Sequence, residues 1–166
     1  MLIIENLLSQ EQLDFIDQVL SRAGFLAGSR SARGRAAEAK DNLQLDRRTN
    51  DPQLAALIQR MDKAIVGAIT DHTEFRLHFW PHRMVNPPII SRYQEGMEYG
   101  IHTDNPLMGT TNPVRVDVSC TIFLDDPESY DGGELVLVTP EGERSYKAPE
   151  GRHVFTRPTT HTGLPG

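Results

Sequence analysis

The sequence predicts an α+β domain: helices first, then short strands forming a sandwich or barrel with the helices against one side. Three observations carry this. Apolar residues recur at helical spacing up to about residue 70 and then stop doing so. Beyond it, short apolar runs are broken by Pro, Gly and Asn. The length, 166 residues, suits one core. We expect one domain over 1–166, with helical support over about 1–70 and a β core over about 75–166, built as helices against sheet.

In chain order, "LIIENLLS" reads as a short strand and then a helix start. Ser9 is the expected N-cap, with Gln12 completing a capping box. Leu13, Phe15, Ile16, Val19 and Leu20 follow at helical spacing, and Gly24 is the expected stop. "GSRSARGRAAEAK", Gly28 to Lys40, is small and basic. A phosphate-binding arm is one reading. A surface loop is the preferred one, since no aromatic residue interleaves and Glu38 interrupts the charge. "DNLQLD" is a candidate strand. Asp51 and Pro52 open a second helix, with Leu54, Leu57, Ile58, Met61, Ile65 and Ile69 on one face. His72 reads as a helix-end residue. Strands are expected at Phe75–Trp80, Ile89–Tyr93, Val116–Leu124, Leu135–Val138 and His153–Thr156. Gly132 and Gly133 mark a turn into a strand, and "TPEGER" a hairpin turn.

Composition narrows the function. Net charge is −6, the pI about 5.5 and the mean hydropathy −0.43. This argues for a soluble protein and against a nucleic-acid partner. Cys120 is the single cysteine, which excludes an internal disulfide and suits a reducing compartment. "MLIIENLLSQEQ" lacks the basic start and long apolar run of a signal peptide or membrane span, so the expected location is cytoplasmic, with no membrane partner.

The chemistry is expected in "RYQEGMEYGIHTDN", Arg92 to Asn105. His102 and Asp104, two apart, share one face of a strand, and turned inward they need partners such as a divalent metal. By spacing alone an exposed turn at Asp104-Asn105-Pro106 is the preferred reading. His78 and His82 flank Pro81, which spoils a helical pair, so surface or packing roles suit them better. Arg115 and Asp117 are read as a structural pair, and Thr121 and Phe123 as packing residues beside a pocket.

Three segments in order change the odds: "RYQEGMEYGIHTDN", "RVDVSCTIFLDDPESYDGGELVL" and "YKAPEG". Together they resemble the PKHD-type hydroxylases, prolyl 4-hydroxylase-like members of the Fe(II)/2-oxoglutarate dioxygenase superfamily. The resemblance covers about Leu2 to Gly151 and is strongest from Pro88. It implies a double-stranded β-helix, or jelly-roll, with N-terminal helices packed on one side. It implies that His102 and Asp104 are two arms of a 2-His-1-carboxylate triad, which leaves positions open for a 2-oxo acid and O2. The implied cofactors are Fe(II), the co-substrate 2-oxoglutarate, O2, and ascorbate as reductant. The implied reaction couples oxidative decarboxylation of 2-oxoglutarate to hydroxylation of a substrate the sequence does not identify. By the same analogy Tyr93 gives its phenol O–H to 2-oxoglutarate; for both Tyr93 and Tyr99 the alternative is ordinary aromatic core.

The tail departs from the family pattern. Where relatives carry a distal His and then a basic residue, this chain reads "RHVFTRPTTHTGLPG". His161 stands one residue early and is the candidate third ligand; His153 is too early, and Arg157 precedes His161. From Val154 on, the degenerate code permits Leu-Tyr-Pro-Ser, three residues and His-Arg-Val in a shifted frame. We therefore expect residues 152–166 to be an altered, frameshifted tail, with the C-terminal strands incomplete and a sheet edge left unpaired. Two protein ligands would hold iron less tightly than three. The competing readings are a working hydroxylase, a truncated family member without turnover, and a cupin-like metal- or sugar-binding module.

Overall fold

Ser9 fixes where the first helix begins. In the computed structural model its Oγ accepts from the Gln12 amide at 3.3 Å while the Gln12 side chain accepts from the Ser9 amide at 2.9 Å, the reciprocal cap the spacing predicts. The structure describes residues 2–31, 40–85, 87–109, 112–149, 151, 153–156 and 161–164, with backbone alone for 30, 31, 153–156 and 161–164.

Strand β1 (Leu2–Ile4) precedes helix α1 (Gln10–Leu20), which buries Leu13, Ile16 and Val19. The helix stops at Ser21, ahead of Gly24. Gly24 instead lies in the turn into β2 (Phe25–Ala27), where its carbonyl accepts from the Asp46 amide at 2.8 Å. This strand was not expected, because three residues carry no readable alternation. Next come β3 (Leu43–Leu45) and α2 (Pro52–Asp71), capped by Asp51 through the amides of Gln53 and Leu54. Leu54, Ile58, Met61, Ile65 and Ile69 of α2 are buried, and α1 packs on α2. Asp62, buried on the same helix, takes a two-pronged bond from Arg47, at 3.0 and 2.9 Å.

The expected strand at Phe75–Trp80 is instead helix α3 (Thr73–Phe79), which follows His72 and ends at Trp80, whose N–H donates to the Arg76 carbonyl at 2.9 Å. "FRLHF" satisfies both periods. A strand would place Leu77 beside Phe75, yet Leu77 is 75% exposed and Phe75 is buried against Phe79, one helical turn on. Packing, not local pattern, selected the helix.

The remaining strands are β4 (Ser91–Arg92), β5 (Tyr99–Thr103), β6 (Leu107–Met108), β7 (Val114–Arg115), β8 (Ser119–Ile122), β9 (Leu135–Thr139), β10 (Gly142–Tyr146), β11 (His153–Thr156) and β12 (His161–Leu164). Strands β4, β8, β9 and β11 fall on expected runs, β4 and β8 shortened and β9 one residue longer, whereas β5, β6, β7, β10 and β12 were not among the expected strands. They form small sheets in the orders β1-β11-β8, β10-β9-β12-β5, β2-β3-β4 and β6-β7. The "TPEGER" turn joins β9 to β10, and Gly142 there has φ +122.

Strand β8 explains where the site lies. Val118, Cys120, Ile122 and Leu124 pack against the core built by the helices. The alternate residues face the other way: Phe123 joins Leu135 and Leu137 of β9 in a second, smaller core, and Ser119 reaches Asp104. One strand thus serves the helical core with one face and the site with the other. Among the described residues no helix is long and apolar enough to cross a membrane.

Candidate metal centre

Gly100, His102 and Asp104 alternate along β5 and its exit, while Ile101 on the other face is 59% exposed. His102 and Asp104 turn to the same side. His102 Nε2 lies 3.5 Å from Asp104 Oδ1, with side chains 10% and 29% exposed. His102 Nδ1 is 2.9 Å from the Gly100 carbonyl, which accepts its proton and so fixes the orientation of the ring. Ser119 Oγ donates to Asp104 Oδ2 at 2.5 Å. The bond from His102 holds the Asp104 carboxyl below the usual range; burial opposes this and Ser119 assists.

Tyr99 stacks on His102, with ring centroids 3.7 Å apart and planes 13° from parallel. Burial pushes the Tyr99 phenol up to about 12, with the charge of Asp104 adding to the effect. Lys40, itself buried, places Nζ 5.0 Å from the Tyr99 ring centroid. Tyr93, just beyond β4, has its hydroxyl bonded by Asn42 at 2.8 Å and by Ser91, and burial raises its pKa.

The sequence pattern flagged His102, Asp104, Tyr93 and Tyr99, and the fold gathers them. Lys40, Asn42 and Ser119 were missed as site residues. Lys40 and Asn42 belong to a segment read as loop and strand; their alternation with Gln44 is the signal that marks an inward face. Ser119 carries no signal of its own, since a serine in a strand is ordinary.

On β12 the backbone pairs Thr162 with His102 and His161 with Thr103. Directly opposed residues share a face, so position 162 is the one that matches His102. The side chain of His161 lies outside the described residues, as do residues 32–39 of the basic arm. Among the described residues, no group of three or more His, Cys, Asp or Glu could hold a metal. His72 closes α2 and His78 meets the Phe79 ring edge-on, so both stay with the helices. Arg115 and Asp117 pair at 2.8 Å on the surface.

Residues 88–166 match the family model of the 2OG-Fe(II) oxygenase superfamily. A PKHD-type hydroxylase from Crocosphaera subtropica is 38% identical over 154 residues, 93% of this chain and 66% of that protein. Another, from Xanthomonas campestris pv. campestris, is 36% identical over 162 residues, covering 95% and 68%. The chain belongs to the PKHD-type hydroxylase family.

This PKHD-type chain spans about two thirds of the length of the curated relatives it matches. Its fold resembles the crystal structure of a Pseudomonas putida prolyl-4-hydroxylase with a TM-score of 0.62 at 15% identity, covering 99% of this chain and 85% of that one. The family-model match opens at Pro88, just ahead of β4, and so takes in Tyr93, Tyr99, His102 and Asp104. An imidazole and an ionised carboxylate on one face are the kind of donors that ferrous ion takes.

Proposed function

We propose that the chain is an Fe(II)- and 2-oxoglutarate-dependent hydroxylase, with His102 and Asp104 as metal ligands and Tyr93 as a residue that binds 2-oxoglutarate. One observation carries this: His102 Nε2 and Asp104 Oδ1 converge at 3.5 Å, with each side chain's other polar atom already held, by Gly100 and Ser119. Two donors that close, on one face and individually oriented, are prepared for a shared cation.

Iron, when bound, would supply the oxidative chemistry that couples 2-oxoglutarate decarboxylation to hydroxylation, and ascorbate would keep it reduced. The protein's part is orientation. Gly100 fixes the tautomer of His102, Tyr99 holds its plane, and Ser119 holds the carboxylate. Tyr93 offers a hydroxyl at the edge of the site. The sheets β1-β11-β8 and β10-β9-β12-β5, meeting through Phe123, Leu135 and Leu137, are read as the two halves of a double-stranded β-helix. In the observed register, His161 would join as third ligand only if β12 slipped by one residue.

The test is succinate release from 2-oxoglutarate with Fe(II) and ascorbate, run beside metal binding. His102→Ala is expected to abolish both while the far-UV circular dichroism stays unchanged. Metal bound without succinate release identifies a family member that does not turn over. Undiminished metal binding by His102→Ala removes the proposed centre. His161→Ala is expected to leave metal affinity unchanged unless the register shifts.

A further inference from the structure

Three charged or amide side chains are buried among the described residues: Lys40, Asn42 and Asp62. Asp62 is explained by Arg47. Asn42 is 2% exposed. It aims its Nδ2 at Tyr93 Oη, 2.8 Å away, across 51 residues of sequence. An amide nitrogen only donates, so the Tyr93 oxygen accepts from Asn42, and Ser91 is the hydroxyl's second partner.

Gly28 holds that amide in place. Its N–H donates to the Asn42 carbonyl at 2.7 Å. A Cβ at position 28 would lie 1.8 Å from Asn42 Oδ1 and 3.0 Å from Cγ, so only glycine leaves the side chain where it is. Asn42 Oδ1 is buried without a hydrogen-bond partner. Retaining a buried amide at the cost of an unsatisfied oxygen is unfavourable for stability, which points to a use for the other end of the group.

We propose that Asn42, seated by Gly28, is a positioning residue that orients the Tyr93 hydroxyl as a donor toward the carboxylate of a bound 2-oxo acid. The inference rests on the reading of Tyr93 given above. Asn42 itself touches no reacting atom. Asn42 and Ser91 together occupy the acceptor side of the phenol oxygen, so that the O–H is presented to the ligand already aligned.

The experiment measures 2-oxoglutarate binding to the Mn(II)-loaded chain by calorimetry, with Mn(II) affinity and thermal midpoint recorded for each variant. Asn42→Ala, Gly28→Ala and Tyr93→Phe are each expected to weaken 2-oxoglutarate binding by about fivefold to tenfold, the loss of one hydrogen bond. Mn(II) affinity is expected to stay within about twofold of wild type. Gly28→Ala is expected to add nothing once Asn42 is Ala, because the clash is gone. Wild-type 2-oxoglutarate affinity in Asn42→Ala, beside a weakened Tyr93→Phe, overturns the role of Asn42 and spares that of Tyr93. Wild-type affinity in Tyr93→Phe, or no Mn(II) binding by the unmodified chain, overturns the site reading and this inference with it. Loss of Mn(II) affinity in Asn42→Ala, in step with 2-oxoglutarate affinity, shows a purely structural residue and overturns the proposal.

Discussion

Ser119→Ala isolates the second link in the chain from fold to metal. Ser119 is carried by β8 and donates to Asp104 Oδ2 at 2.5 Å. A hydrogen bond to a charged group contributes about 1.5–3 kcal/mol. The Asp104 side chain is 29% exposed, so water can replace part of what is lost, and the lower end of that range applies. About 1.4 kcal/mol corresponds to a tenfold change in an equilibrium constant. The expected result is a Kd for Mn(II) about tenfold weaker, at the lower edge of the roughly 10- to 100-fold losses typical of groups that orient metal ligands. Ser119→Thr keeps the hydroxyl and is expected to restore most of the affinity. The assay is calorimetric titration with Mn(II), with circular dichroism to show an intact fold. An Mn(II) Kd within about twofold of wild type in Ser119→Ala would refute the argument that this hydroxyl orients the carboxylate.

The remaining predictions concern the core and its titratable groups. Met61 is fully buried in the core built by the helices, so Met61→Ala is expected to cost about 2–5 kcal/mol in urea unfolding, with little change in slope. Burial holds the folded-state pKa of Lys40 below 10.5, so between that lowered value and 10.5 the unfolded chain binds more protons and stability rises with pH. Lys40→Met is expected to be more stable than wild type near about pH 7, with the gap closing toward about pH 10 in denaturation curves, since the variant lacks this titration. Burial pushes the Cys120 thiol well above its ordinary range, so it is expected to resist Ellman's reagent in the native state and to react fully once urea unfolds the chain.

The starts of the first two helices were legible because N-capping is local. Ser9 with Gln12, and Asp51 with Pro52, satisfy amides within three residues of themselves, so neighbouring letters suffice. His102 and Asp104 were not singled out by spacing, which favoured an exposed turn at Asp104-Asn105-Pro106; the family motif around them was the signal, and β5 puts both on one face. Phe75 to Phe79 was not legible, because its letters fit both periods and only the burial of Phe75 with Leu77 left in solvent decides between them. Nor was β2, which is three residues long and held by its pairing to β3.

What the sequence determined by itself, then, is the family, the first two helices and a His and an Asp two residues apart, all of them properties of short intervals along the chain. The tertiary structure decided that Ser119 steadies Asp104 from 15 residues away and that Asn42 reaches Tyr93 from 51. It also decided that Thr162, not His161, stands across from His102 on β12. These depend on strand order and register, which hydrogen bonds between distant segments set and which the identity of neighbouring residues does not encode.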